Sequence, residues 1–283
     1  MTTADAALLG LIQGLTEYLP VSSSGHLVLA QQYLGLDIPP TTILAFDVLL
    51  HQGTLAAVLF FFRRELVPMT RQAVSLALAG PKEWRGSGSR WPLGHFAWMA
   101  VIATVPAIIA AVLLGDFFEE VFGSGRYLWI EFAITTAFVL WGQRAARRLA
   151  GGKGPGQFGV REAGITGLLQ ALAILPAVSR SGTTVAGALA MGLERETAAR
   201  FSFIMSIPAL LGAAVFTTGP LMEGFRSGDI TIAAAAAGTV ISGITGFLTL
   251  GFLVRIIQGA RLYWFAVYTG ALSLFLFVRD VLM

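Results

Sequence analysis

The stretch Q-G-L-T-E-Y-L-P-V-S-S-S-G-H, residues 13–26, decides how the chain is read. It places a carboxylate, three serine hydroxyls and an imidazole inside a segment, about residues 5–36, that is otherwise apolar. Pro20 brings no backbone N–H, and the Ser22–Gly25 run favours caps and turns, so a helix entering this segment stops near its middle. Each half is then roughly fifteen residues, whereas crossing a bilayer takes about 20. A helix hairpin that enters and leaves on one side fits this better, because irregular backbone at membrane depth is tolerated where protein buries it or a cavity meets it. An ionisable side chain at the bilayer centre costs roughly 2.5–3.5 kcal/mol on insertion scales, so this run is a functional-site candidate.

The composition supports a membrane setting. The 283 residues are 55% hydrophobic and 12% charged, and the mean hydropathy is +0.74, well above that of a soluble domain. With no cysteine, disulfides and thiolate metal sites are excluded, and any metal would need oxygen or imidazole ligands. The net charge of +3 does not point to nucleic acid, because the basic residues gather at the ends of apolar runs. The first residues carry neither the basic flank nor the cleavage site of a signal peptide, so the chain from Met1 is read as mature protein.

Working outward, uninterrupted spans are expected at about 42–62, 94–115 and 126–147, then at 199–219, 231–254 and 262–281. A second broken segment lies at about 162–192, interrupted at Pro176 and Ser179–Thr184. L-P-V-S-S-S-G at 19–25 and L-P-A-V-S-R-S-G at 175–182 are related, which points to an internal duplication. The expectation is an all-α integral membrane protein of six transmembrane helices plus two re-entrant hairpins. Three spans per half make the halves an inverted-topology repeat: residues 1–150, a Gly- and Pro-rich flexible linker at 151–159, and residues 160–283. Inverted repeats bring discontinuous helices together near the midplane, with half-helix N-termini facing an anionic ligand.

The loops set the orientation. Residues 63–92 carry Arg63, Arg64, Arg71, Lys82, Arg85 and Arg90, and residues 144–161 carry Arg144, Arg147, Arg148, Lys153 and Arg161, so both are read as cytoplasmic. Asp116, Glu119, Glu120, Glu223 and Asp229 then fall outside, as do both termini. Glu131 and Glu162, near span ends, are read as within reach of water, and His95, between Trp91 and Trp98, as interfacial.

Gln13 and Glu17 are four apart and face one side of a helix, which lets an amide oxygen and a carboxylate share a cation, Mg2+ or Ca2+, whose other ligands come from phosphate. Glu17 could equally pair with Arg180 as structural glue. Ser22, Ser23, Ser24 and Gly25 form the cap and first turn of a half-helix whose N–H groups point at phosphate oxygens, although serine-rich breaks also serve helix packing. His26 adds an acid, base or nucleophile. In the second break Ser179, Ser181, Thr183 and Thr184 surround Arg180 beside Gly182. The guanidinium suits phosphate bidentately, with a salt bridge to Glu17 or Glu162 as its structural alternative. Asp47 and His51 are placed in a surrounding layer.

These motifs resemble the two signatures of the bacterial undecaprenyl-diphosphate phosphatases, the bacitracin-resistance family: residues 13–26, and P-A-V-S-R-S-G-T-T at 176–184. F-D-V-L-L-H-Q-G-T at 46–54 and F-S-F-I-M-S-I-P at 201–208 resemble it too, so the likeness covers nearly the whole chain. The resemblance implies a multi-pass bacterial inner-membrane hydrolase, so that the termini placed outside by the loop charges would be periplasmic. It implies conversion of undecaprenyl diphosphate to the monophosphate with a divalent cation, recycling the carrier lipid for peptidoglycan synthesis. By position, Gln13 and Glu17 match the family's Glu/Gln-x-x-x-Glu element, and Ser23, His26 and Arg180 match its catalytic serine, histidine and arginine. Ser179, Ser181 and Thr184 match its polar shell. Its partners would be a polyprenyl diphosphate and membrane lipids, with a homodimer carried as an expectation. Ala177 departs from the family's usual glycine, and alanine is strained there if the position needs positive φ. Attack by Ser23, attack by His26, and water activated by His26 all stay open, and the rival class is a secondary transporter or lipid flippase built on inverted repeats.

Overall fold

In the computed structural model the described residues are 1–84, 86–125, 127–149, 151–175, 177–259 and 261–282. Pro176 and Arg85 lie outside them, as do the side chains of Asp116, Glu119 and Glu120. The elements are α1 (Thr3–Thr16), α2 (Ser23–Leu34), α3 (Pro40–Phe61), α4 (Arg63–Ala79), α5 (Ser87–Arg90), α6 (Pro92–Ser124), α7 (Leu128–Arg148), α8 (Val160–Leu172), α9 (Arg180–Ala190), α10 (Arg195–Ser227), α11 (Ile232–Gln258) and α12 (Tyr263–Phe277). Among the described residues there is no strand, only a single bridge between Lys153 and Leu193.

Five helical stretches are long and apolar enough to cross a membrane: Pro40–Phe61, Pro92–Gly115, Arg195–Ser227, Ile232–Gln258 and Tyr263–Leu282. The chain is therefore an all-helical protein with the make-up of a multi-pass membrane protein. The helix over the span expected at 126–147, α7, has 21 residues but is not among the five, for Glu131, Gln143 and Arg144 lower its apolarity.

Both broken segments are broken where the sequence places the interruption. Helices α1 and α2 have 14 and 12 residues, α8 and α9 have 13 and 11, and none of the four is long enough to span. The restarts share one cap. Ser22 Oγ accepts the Gly25 N–H at 3.3 Å and Ser179 Oγ accepts the Gly182 N–H at 3.1 Å, each satisfying one orphan donor of a helix start. The arms before the breaks are seated alike. A Cβ on Gly10 of α1 would lie 2.2 Å from the Gly238 carbonyl of α11, and one on Gly167 of α8 would lie 2.3 Å from the Ala103 carbonyl of α6. Only glycine allows either approach, and each glycine precedes a buried glutamine, Gln13 or Gln170, by three residues.

The largest apolar cluster joins Tyr18 to Phe62, Phe96, Phe158, Phe201 and Phe203. A second one packs Ala6, Leu9 and Leu27 against Phe46, Leu50 and Ile230, and a third holds Leu128, Phe132, Ala177 and Leu276. The breaks thus sit among packed side chains, as irregular backbone at membrane depth requires.

Several expectations are corrected. The 63–92 connection is largely helical: α4 carries Val67, Val74 and Leu78 exposed beside its arginines, an amphipathic pattern that charge counting alone reads as loop. The linker at 151–159 is tied down rather than flexible. The Lys153 N–H donates to the Gly192 carbonyl at 2.8 Å, Lys153 Nζ pairs with Glu162 at 2.7 Å, and Phe158 is buried in the main core. Glu131 is buried, not at the water's edge. His95, read as interfacial, is held in place, since its ring nitrogens meet Ser87 Oγ at 2.8 Å and the Phe158 carbonyl at 2.7 Å.

Ala177 has φ +52, the left-handed value anticipated for a position that suits glycine. Its methyl also meets the first break: a Cβ on Gly25 would lie 2.7 Å from Ala177 Cβ and 2.7 Å from Phe132 Cζ. Gly25→Ala should therefore cost about 1–3 kcal/mol through overpacking. Adding Ala177→Gly should recover about 1 kcal/mol of that, by relieving both the contact and the left-handed strain. Thermal unfolding of the two single variants and the double variant in detergent reads this coupling, and strict additivity would refute the contact.

Candidate active site

Glu17 is the C-cap of α1, one turn beyond Gln13, and it is 5% exposed. Its Oε2 accepts from Gln13 Nε2 at 2.8 Å and from Ser23 Oγ at 2.8 Å. Its Oε1 is paired with Arg180 Nη2, from the first residue of α9. The carboxylate thus receives the amide of α1, the first hydroxyl of α2 and the guanidinium of α9. Ser181 Oγ donates to the Leu19 carbonyl at 3.0 Å, a second tie between the two breaks.

His51, on α3, comes closer than its expected place in a surrounding layer. Its Nε2 lies 3.3 Å from Glu17 Oε2 and its Nδ1 lies 2.6 Å from the Asp47 carbonyl. Both ring nitrogens face acceptors, so the ring needs both protons to satisfy them. Glu17 is then flanked by two cationic groups. The Asp47 side chain turns elsewhere and accepts from Gln31 Nε2 at 2.7 Å.

The remaining residues divide. Thr184 Oγ1 contacts Ser202 Oγ at 2.6 Å and donates to the Arg180 carbonyl at 2.7 Å, and Thr183 Oγ1 donates to the carbonyls of Ser179 and Arg180 at 3.0 Å. These hydroxyls brace the first turn of α9. Ser22 and Ser24 hydroxyls lie 3.4 Å apart, and Gly25 and Gly182 supply the capped N–H groups. The His26 imidazole does not join the Glu17 cluster. It contacts the Ser22 carbonyl and, across the fold, Tyr268.

Two buried polar atoms at this site have no partner: Gln13 Oε1 and Arg180 Nη1. An unmatched acceptor and an unmatched cationic donor beside one carboxylate offer groups to which a cation and an anion can bind. No group of three or more His, Cys, Asp or Glu side chains able to hold a metal occurs among the described residues. One carboxylate and one amide oxygen fit a hard cation that takes its other oxygens from a phosphate ligand. Such a cation would exchange with a donor now on Glu17, as both carboxylate oxygens are engaged.

Residues missed from sequence include Thr135 on α7. Its Oγ1 donates to the Ala177 carbonyl at 2.8 Å and accepts the Ser179 N–H at 2.9 Å, holding the second break open. A lone threonine in an apolar helix gives no sequence signal of this.

An all-helical, multi-pass fold that gathers a serine, a glutamate and an arginine at two helix breaks, beside one unpartnered acceptor and one unpartnered donor, defines the class: a membrane protein with a buried polar cluster where its helices break. The chain matches the family model of the Bacitracin resistance protein BacA over residues 6–275. It is 39% identical over 279 residues to an undecaprenyl-diphosphatase of Carboxydothermus hydrogenoformans, covering 98% of this chain and 97% of that one. It is 40% identical over 270 residues to one of Rubrobacter xylanophilus, with 95% of each chain covered. The chain belongs to the BacA family.

Thr135→Val leaves the Ala177 carbonyl and the Ser179 N–H without their partner, so it should destabilise the protein by about 2 kcal/mol or more. Thermal unfolding checks this, and a change within about 0.5 kcal/mol, the range of a neutral surface substitution, would contradict the bracing role.

Proposed function

We propose that the chain is a membrane phosphatase that hydrolyses undecaprenyl diphosphate to undecaprenyl phosphate and inorganic phosphate, recycling the carrier lipid for cell-wall synthesis. The observation that carries this is Glu17, which binds Ser23 of one break and Arg180 of the other beside two unpartnered buried polar atoms. The names of the relatives supply the substrate, and they give the transporter reading no support.

Arg180, with Nη1 free, grips the terminal phosphoryl group together with the N–H groups at the starts of α2 and α9. Ser23 is the nucleophile, because its hydroxyl already donates to Glu17, the base that takes its proton. Its oxygen attacks the terminal phosphorus, and the bond to the bridging oxygen breaks, releasing undecaprenyl phosphate. Water then attacks the phosphoserine phosphorus, inorganic phosphate leaves, and the Ser23 oxygen regains a proton. A divalent cation, Mg2+ or Ca2+, would be held by Glu17 and Gln13 Oε1 and would supply charge neutralisation on the diphosphate. The prenyl tail lies in an apolar groove of about 450 Å3 between α3 and α11, lined by Ala56, Phe60, Val240, Ile244 and Phe247.

The reading extends to topology. Six spans, with α7 among them, and two re-entrant hairpins form an inverted repeat of residues 1–150 and 160–283 joined through 151–159, in the bacterial inner membrane with both termini periplasmic. The shared caps and glycine seats of the two breaks support it.

Purified protein should release phosphate from undecaprenyl diphosphate, lose that activity with chelator and regain it with Mg2+ or Ca2+. Ser23→Ala should lower kcat by about a thousandfold, and rapid quench of the wild type should trap phosphate on Ser23. Unaltered turnover in Ser23→Ala, or phosphate trapped on another residue, would overturn the assignment.

A further inference from the structure

His26 stands apart from the Glu17 cluster, and its surroundings settle which nitrogen carries its proton. Nδ1 lies 2.6 Å from the Ser22 carbonyl oxygen, which can only accept, so Nδ1 is the donor. In a neutral imidazole Nε2 then carries the lone pair, and it lies 2.6 Å from Tyr268 Oη of α12. The tyrosine O–H is therefore the donor to Nε2. The ring is boxed in as well: Phe132 of α7 meets it edge-on at 5.4 Å and 88°, and the Tyr268 ring is nearly parallel to it at 5.6 Å and 14°. The last helix of the chain thus reaches back to the first turn of α2, three residues beyond Ser23.

We propose that Tyr268 is a positioning residue that acts through His26: the Ser22 carbonyl sets the Nδ1–H tautomer, and the Tyr268 O–H holds the Nε2 lone pair and with it the orientation of the ring. This rests on the phosphatase reading above. Two groups of the first break then divide the chemistry. Glu17 serves Ser23 in forming the phosphoserine, and His26 serves the second step. When water attacks the phosphoserine, the new oxygen–phosphorus bond forms as the serine oxygen leaves. The water's proton passes to Nε2, the one ring atom with a lone pair, and the serine oxygen takes back the proton held by Glu17. Tyr268 keeps that lone pair on a hydroxyl until water displaces it.

The chain has three histidines, so ring-15N-histidine labelling of the intact protein in detergent gives a spectrum that single substitutions can assign. The expected wild-type result is His26 as the Nδ1–H tautomer, the form less favoured by a free histidine side chain. Tyr268→Phe keeps the ring and removes the O–H. It should leave the Nδ1–H tautomer in place, shift the His26 Nε2 resonance as its hydrogen bond is lost, and lower kcat for undecaprenyl diphosphate by roughly tenfold, with KM falling alongside and kcat/KM little changed. The His95 signal, set by Ser87 and Phe158, should stay in place and report an intact fold. Phosphoserine should accumulate in this variant, because its breakdown is the slowed step. Wild-type His26 as the Nε2–H form overturns the proposal without any variant or assay, and so leaves the phosphatase reading untouched. An unmoved Nε2 resonance in Tyr268→Phe, or an unmoved kcat, overturns it as well. If the phenylalanine variant does not fold, the Nε2 resonance is read instead in Phe132→Leu, which retains the tyrosine hydroxyl and should keep Nε2 at its hydrogen-bonded position; loss of that position there overturns the proposal.

Discussion

A carboxylate and a guanidinium buried together are tolerable only as a pair. Glu17 is 5% exposed, and the Arg180 side chain that meets it comes from a helix start 163 residues away. Removing one partner of a buried pair leaves a charge that costs about 3–5 kcal/mol. The pair therefore constrains the two helix breaks to face each other, and with them the elements that carry the breaks. Ser181 on the Leu19 carbonyl, and Gly25 against Ala177, are the packing consequences of that meeting.

The same constraint explains why the site is strained and partly unsatisfied. Ser22 at φ +69 and Ala177 at φ +52 flank the restarts of α2 and α9, in a region that non-glycine residues avoid. Gln13 Oε1 and Arg180 Nη1 are buried without partners. A fold under no functional demand would fill these positions with matched groups. Here the mismatch is one acceptor and one cationic donor beside a single carboxylate.

Much of this was legible in the chain. Pro20, the serine run and the repeated S-x-S-G mark both breaks, because residues that cap helices and lack helix donors act locally, wherever the rest of the fold goes. Glu17 with Arg180 was legible as one of two readings, since buried charges in an apolar chain have few partners to choose from. Position within the site was not. His51 touches Glu17 while Asp47, one turn earlier on the same helix, turns to Gln31, a difference of side-chain aim that spacing does not carry. Thr135 and Tyr268 act from α7 and α12, through contacts that only tertiary packing creates. The linker looked flexible because glycine and proline lower local order, but its backbone found partners at Gly192 and Glu194.

The central claim is that one ion pair holds the two breaks together and also works in the reaction. A double-mutant cycle on Glu17→Gln and Arg180→Met, read in both thermal stability and phosphate release from undecaprenyl diphosphate, tests it most directly. The account predicts that each single variant loses about 3 kcal/mol or more of stability. It predicts that the double variant regains much of this while staying inactive. Additive stability losses, or phosphate release restored in the double variant, would contradict it.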